Sequence, residues 1–335
     1  SREAAFGLTA IEGEAIWRCT TCGTCPERCP RGVRQVELGV AIRRVASKHE
    51  VFPGSARSVR GIRASLRSEG NPLNGDRNRR ADWAKGLAVK PFAEGMEVLY
   101  FVGCYLSYDP RLKRVAAATA GILDRAGVGF GILGGRESCC GESIRKTGAE
   151  DIFKALAREN IKTFVEHGVK KILVSSPHCY HTFKNEYPEF MVHFEVVHVA
   201  QFLAGLLKTG RLKLRGEFDR RVTWHDPCYL GRHNGIFDEP REVLNAVPGL
   251  ELVEMADTGA DSLCCGGGGG RVWMDTPKGE RFSELRLAQA RDAGAAVLAT
   301  SCPYCITMLE SSLPGGGDEE GLKVRDITEI VREVI

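Results

Sequence analysis

Five cysteines constrain this chain more than any other feature of its 335 residues. Cys228, the adjacent pair Cys264 and Cys265, then Cys302 and Cys305 form a C-x35-CCG-x35-C-x2-C constellation. Most of it occurs once before, as Cys104, Cys139, Cys140 and Cys179, displaced by 124 to 126 residues, so order and spacing mark a duplication. Neighbouring Cα atoms lie about 3.8 Å apart, which places an adjacent pair badly for a disulfide with itself. Two neighbouring thiolates also crowd a single tetrahedral zinc, which favours spacings such as C-x2-4-C. A polynuclear iron–sulfur core accepts the pair, because its two sulfurs go to different irons.

The first copy is weaker. Aligning Ser175-Ser176-Pro177-His178-Cys179 with Ser301-Cys302-Pro303-Tyr304-Cys305 puts Ser176 where Cys302 stands. Serine is a poor ligand for soft iron–sulfur sites. Cys104, Cys139, Cys140 and Cys179 remain as candidate metal ligands, for a smaller cluster or a metal, with a scaffold role as the favoured alternative.

A third group, Cys19-x2-Cys22-x2-Cys25-x3-Cys29-Pro30, is the bacterial ferredoxin run, whose thiolates hold a [4Fe-4S] cubane. In two-cluster ferredoxins the fourth cysteine reaches the other cluster. No second such run occurs in the 335 residues, so an upstream segment carrying a partner motif is expected. Cys29 then either closes the cluster of Cys19, Cys22 and Cys25 or serves a second cubane shared with an upstream or partner segment.

Thirteen cysteines without a recognisable signal peptide point to a reducing, cytoplasmic setting, where such patterns mean metal rather than disulfides. No apolar stretch approaches the 18 or so residues that span a bilayer, so membrane contact is expected only through a partner at the cytoplasmic face. The formal charge of +3 counts cysteine as neutral. A cubane with its four thiolates adds about −2 to its site, so the excess basic residues are no argument for nucleic acid.

The pattern divides into three segments. Residues 1–90 hold the ferredoxin run, an amphipathic helix from Gln35 to Ala46, and a basic stretch from Ser55 to Lys85 read as a solvated connector. Docking of an acidic partner or a flavin phosphate is the other reading of that stretch. Residues 91–215 and 216–335 alternate strand, loop and helix. In the first repeat, strands are expected at Met96–Val102, Val128–Leu133 and Lys171–Val174, with helices at Arg111–Ala126 and Ala149–His167. In the second, strands are expected at Val222–Trp224, Glu251–Met255 and Ala296–Thr300, with a helix at Gly279–Ala293. Every candidate ligand of the two repeats thus falls just past a strand's C-terminal end, where open α/β sheets place their sites. The fold class expected is α/β, with two tandem repeats behind a small helical module. Gly266 to Gly270 lack the Lys-Ser/Thr of a phosphate loop and are read as packing against a cluster.

Trp224-His225-Asp226-Pro227-Cys228-Tyr229-Leu230-Gly231-Arg232-His233, Cys264-Cys265-Gly266-Gly267-Gly268-Gly269 and Ser301-Cys302-Pro303-Tyr304-Cys305 resemble the CCG proteins of the heterodisulfide reductase superfamily. Ile16 to Val33 resembles the second cluster motif of that enzyme's ferredoxin-like subunit. The resemblance covers nearly the whole chain. It implies a noncubane [4Fe-4S] cluster on Cys228, Cys264, Cys265, Cys302 and Cys305, with a second one doubtful at the Ser176 copy. It also implies an oxidoreductase subunit that takes electrons from a flavoprotein or ferredoxin-type donor and delivers them to a disulfide or quinone-type acceptor, with a membrane quinone-reactive subunit among the expected partners. A pure relay between a flavoprotein and another redox partner is the alternative. Reducing a disulfide needs protons as well as electrons. His225 and His233, which flank Cys228, are the candidate catalytic proton donors, and His178 beside Cys179 is a weaker one.

Overall fold

The structure, a computed structural model, describes residues 11, 13–313 and 321–335; residues 1–10, 12 and 314–320 lie outside this description. The N-terminal part is helical, with helices at Glu14–Arg18, Thr24–Arg28, Gln35–Lys48 and Ser58–Glu69. Two parallel four-stranded sheets follow. The first contains β1 (Val98–Phe101), β2 (Phe130–Gly131), β3 (Lys171–Val174) and β4 (Glu195–His198), in the order β2-β1-β3-β4. The second contains β5 (Arg220–Trp224), β6 (Leu250–Val253), β7 (Val297–Thr300) and β8 (Lys323–Asp326), in the order β6-β5-β7-β8. Every residue of β1 and of β7 is buried, as expected for strands covered on both faces by crossover helices.

The strands are shorter than the apolar runs suggest. The Val128–Leu133 run forms a strand only at Phe130–Gly131, where a side chain on Gly131 would meet the Phe92 backbone at 2.5 Å, and adds an isolated bridge from Ile132 to Pro91. β4 and β8 carry no continuous apolar run: they are edge strands, Glu-Val-Val-His and Lys-Val-Arg-Asp, whose first residues Glu195 and Lys323 are exposed and whose last residues His198 and Asp326 are buried. Each ends on a residue that caps the next helix through a capping box, His198 for Val199–Lys208 and Asp326 for Ile327–Glu333. Those two helices cross over: Val199–Lys208 packs on Asp238–Asn245 of the second repeat, and Ile327–Glu333 on Lys113–Arg125 of the first. The repeats therefore face each other, and Arg111 ties them with ion pairs to Glu310 (2.8 Å) and Glu329 (2.7 Å).

The Ser55–Lys85 stretch is not a solvated connector. It folds into the helix Ser58–Glu69 and two short 3-10 turns; Arg80 is buried and Arg63 and Arg77 are half-buried, while its other arginines stay exposed. Arg80 is buried against Glu137 at 2.6 Å, Arg77 reaches Glu159 at 2.6 Å and Ser138 at 2.9 Å, and Arg67 pairs with Asp151 at 2.9 Å. The helix Gln35–Lys48 likewise departs from its apolar pattern: it buries Val40, Arg43, Ala46 and Ser47, while Val45 is 45% exposed. Arg43 is the pin of the molecule. Its guanidinium donates to the carbonyls of Ile16 and Cys19 in the N-terminal part, of Lys146 in the first repeat and of Gly269 in the second.

Candidate functional site

The five cysteines of the second repeat converge. Cys228 follows β5, Cys264 and Cys265 lie on the loop after β6, and Cys302 caps the helix Pro303–Glu310 that follows β7 and carries Cys305. Their thiols form one run of neighbours: Cys228 meets Cys264, Cys264 meets Cys265, Cys265 meets Cys305, and Cys305 meets Cys302. All five are buried. Hydrogen bonds from Cys264 and Cys305 hold the Cys265 thiol well below its ordinary range. Burial pushes Cys302 up, but bonds from Cys305 and His178 bring it down to about 5. Thiolates are favoured at both positions, and thiolates are what soft metals bind. The Gly266 N–H also donates to Cys264 Sγ at 3.3 Å.

The donor set suits a polynuclear core. Tetrahedral zinc with bonds near 2.3 Å holds its sulfurs roughly 3.8 Å apart. Among the described residues no three cysteine sulfurs lie within 4.8 Å of one another; the trio that does is His225, Cys265 and Cys305. His225 is therefore part of this site. Its Nδ1 accepts a hydrogen bond from Arg286 Nε at 3.1 Å, and a guanidinium only donates, so the neutral ring carries its proton on Nε2. That buried N–H has no other partner and is free for a sulfur. Burial, then the Arg286 charge, lower the His225 pKa to about 3.

His233 goes elsewhere. Its ring stacks on Tyr229 at 4.2 Å, and its Nε2 donates to the Thr21 carbonyl at 2.8 Å. Arg232 beside it donates to the Cys22 carbonyl at 2.8 Å and to the carbonyls of Ala260 and Ser262. Together they clasp the Cys19–Cys25 loop onto the second repeat. The glycine run completes the seat, because a side chain on Gly268 would strike the Thr20 carbonyl at 2.3 Å and one on Gly269 the Cys19 carbonyl at 2.8 Å. Close backbone approach is what glycine permits here.

The result is a junction between two candidate clusters. The Cys22 thiol packs with Cys228 and Cys264 and is pushed up to about 12, chiefly by its hydrogen bond with Cys264 and then by burial. Cys25 is exposed, and the charges of Cys22, Cys19 and Cys29 all bear on it. The amides of Val33, Arg31 and Gly32 lower the Cys29 thiol.

The first repeat also brings its thiols together. Cys104 meets Cys139, Cys139 meets Cys140, Cys140 meets Cys179, and the Ser176 hydroxyl stands beside Cys179. They border a small cavity of about 30 Å³. Arg80 donates to Cys104 Sγ at 3.4 Å while paired to Glu137, whose carboxylate also accepts from the Val102 and Gly103 amides.

Sequence reasoning missed Arg43, Arg286, Arg80, Glu137 and Glu142. Each is a charged residue that the fold buries, and only its position beside a cysteine motif or on an apolar helix face hints at it.

The comparisons with known proteins agree with this geometry. The cysteine-rich domain family CCG matches residues 98–184 and 222–310, one match for each repeat. The chain is 36% identical over 336 residues to the probable iron-sulfur-binding oxidoreductase FadF of Bacillus subtilis, covering 97% of this chain and 47% of that protein. It is 35% identical to the EtfAB:quinone oxidoreductase of Syntrophomonas wolfei, over 96% of this chain and 46% of that protein. It is 36% identical to a subunit of the dihydromethanophenazine:CoB–CoM heterodisulfide reductase of Methanosarcina mazei, over 95% of this chain and 77% of that protein. The chain spans about half the length of the first two relatives. With two matched repeats and relatives of this kind, the chain belongs to the CCG cysteine-rich family of heterodisulfide reductase-like iron–sulfur proteins.

Proposed function

We propose that this chain is an iron–sulfur oxidoreductase subunit in which Cys19, Cys22 and Cys25, with Cys29 or a partner's ligand, hold a cubane and the five cysteines of the second repeat hold a noncubane [4Fe-4S] cluster. When bound, these clusters supply one-electron transfer between a flavoprotein or ferredoxin-type donor and a disulfide or quinone-type acceptor. The observation that carries this reading is the packing of Cys22 against Cys228 and Cys264, which joins the ferredoxin loop to the five-thiol nest.

The chain's own residues do the positioning. Arg232, His233, Arg43 and the close approach of Gly268 fix the loop on the nest. His225, oriented by Arg286, presents an N–H beside Cys265 and Cys305, where it holds a proton next to the sulfurs. A cavity of about 580 Å³ opens beside Gly266, the residue after Cys265, and is lined by Arg18, Arg271 and Arg281 together with Glu14, Asp275 and Glu280, which gives an acceptor room near the nest. No helix among the described residues is long and apolar enough to cross a membrane. We assign any quinone-reactive membrane step to a partner subunit at the cytoplasmic face.

Exposed Cys25 favours a second reading, a relay that takes electrons from a flavoprotein at this surface and passes them on without small-molecule chemistry. Titrating the reduced, iron-loaded protein with disulfides and quinone analogues separates the two. An EPR signal altered by such a compound supports chemistry at the nest, and indifference to all of them supports the relay.

A further inference from the structure

The charged side chains around the cavity beside Gly266 are not all spoken for. Glu14 accepts a hydrogen bond from the Ser55 hydroxyl at 2.6 Å, and Arg18 lies 3.8 Å from Glu280. Arg271 and Arg281 differ: among the described residues neither has a carboxylate within 4.0 Å. Both guanidiniums arrive instead at one residue. Arg271 Nη2 donates to the Thr276 hydroxyl, and Arg281 Nε donates to the Thr276 carbonyl at 3.0 Å. Arg271 is only 8% exposed, yet its remaining N–H groups have no protein partner and are not sealed in the interior, so they open into the cavity. Asp275, next to Thr276 on the same wall, is exposed and has no cation within 4.0 Å among the described residues.

Burying a guanidinium without its counter-charge is costly, and a cavity wall that keeps one suits an anion. Arginine takes a carboxylate through two parallel N–H bonds. The lining as a whole is neutral, with three guanidiniums (Arg18, Arg271, Arg281) and three carboxylates (Glu14, Asp275, Glu280). A ligand with anionic ends alone would face those carboxylates, whereas one carrying an ammonium beside its carboxylate meets both signs. Between the charges the wall is apolar and soft, with Phe282 and Met308, a surface suited to sulfur. The volume of about 580 Å³ lies in the range of small-molecule sites. Thr20 and Gly266 both line it, so the cavity touches the ferredoxin loop and the loop of Cys264 and Cys265.

We propose that this cavity is the acceptor site and that its substrate is a small disulfide of amino-acid type, seated by its carboxylate on Arg271 and Arg281 and by its ammonium on Asp275, with its sulfurs toward Gly266 and Met308. This rests on the reading that the second repeat holds a redox centre. It narrows the choice between disulfide and quinone, because a quinone brings no charge to the two guanidiniums. Reduction breaks the S–S bond with two electrons, which the flavoprotein or ferredoxin-type donor supplies through the chain, and two protons, and it releases two thiols.

Calorimetric titration of the full chain, loaded anaerobically with iron and sulfide, tests the seat without turnover. The probe is cystathionine, which keeps both amino-acid ends but has a thioether in place of the disulfide and so cannot exchange with the chain's thiols. Thiodipropionate, which lacks the ammonium groups, is the control. Cystathionine is expected to bind about tenfold more tightly than thiodipropionate, and Arg271→Gln to weaken it by about tenfold. Asp275→Asn should abolish the preference between the two probes. If Arg271→Gln does not fold, Arg281→Gln, at a half-buried position, decides in its place. Cystine added to the reduced protein should reoxidise its EPR signals, and about tenfold more slowly in Arg271→Gln. Equal binding of the two probes, or binding unchanged in the arginine variant, overturns the assignment. Signals that respond to other disulfides but ignore cystine overturn it too. A chain that holds no iron defeats the cluster reading instead, and the calorimetry still decides the seat.

Discussion

Replacing Arg43 with methionine should detach the ferredoxin loop while leaving the two sheets intact. The guanidinium is fully buried and donates to Ile16 O at 2.9 and 2.5 Å, Cys19 O at 2.7 Å, Gly269 O at 2.8 Å and Lys146 O at 3.3 Å. Burial is the main cause that lowers its pKa to about 10, so holding the charge there is itself costly. Methionine removes that cost but leaves four carbonyls without donors, at about 1–3 kcal/mol for each that stays dry. Allowing for water entry and the relieved charge, the net loss is about 3–5 kcal/mol. It falls on the docking of the N-terminal part, because the carbonyls of Ile16 and Cys19 lie there and those of Lys146 and Gly269 lie on the two repeats. Trp17, which lies 5.3 Å from the guanidinium, reports on the docking, and Trp224 in β5 reports on the second sheet. In urea with single-tryptophan variants, the Trp17 transition should move to lower denaturant while that of Trp224 moves far less. Iron retention after gel filtration should fall in parallel. Arg43→Lys should rescue little, since an ammonium cannot reproduce the planar fork. Coincident wild-type transitions and full iron retention in Arg43→Met would refute the reasoning.

Other substitutions and conditions have equally definite outcomes. Gly268→Ala places a methyl 2.3 Å from the Thr20 carbonyl, so N-terminal cluster loading should drop severalfold while the fold, followed by circular dichroism, persists. Glu137→Gln strands buried Arg80 without its counter-charge and should cost about 3–5 kcal/mol in chemical denaturation. His181, His198 and His225 are each held neutral by burial, with pKa values lowered to about 3. The unfolded chain takes up these protons below about pH 6.5 and the folded chain does not, so each group's contribution is lost as pH falls from 6.5 toward 3, by about 1.4 kcal/mol per pH unit. His198→Gln should make that acid slope measurably shallower; an unchanged slope would remove His198 from the account.

The duplication, the α/β class and the convergence of each cysteine set past strand ends were legible in the sequence, because spacings that agree to within a residue put the cysteines at equivalent places in equivalent sheets. Edge strands β4 and β8 were not, since a strand paired on one side needs no continuous apolar run. The basic stretch was misread for a related reason. Lys and Arg counts do not reveal which guanidiniums meet an internal carboxylate, and Arg80 finds Glu137 across 57 positions of chain. Two histidines near Cys228 in sequence proved to have different surroundings: His225 sits beside Cys265 and Cys305, and His233 faces the ferredoxin loop.

The central claim is that the five thiols of the second repeat gather one polynuclear iron centre. Iron and acid-labile sulfide in an anaerobically reconstituted chain with Cys19, Cys22, Cys25 and Cys29 all changed to serine test it most directly. About four irons and about four sulfides per chain, lost when Cys264 and Cys265 are also replaced, is the predicted result. A folded, colourless chain without iron, or one holding a single zinc, would contradict it.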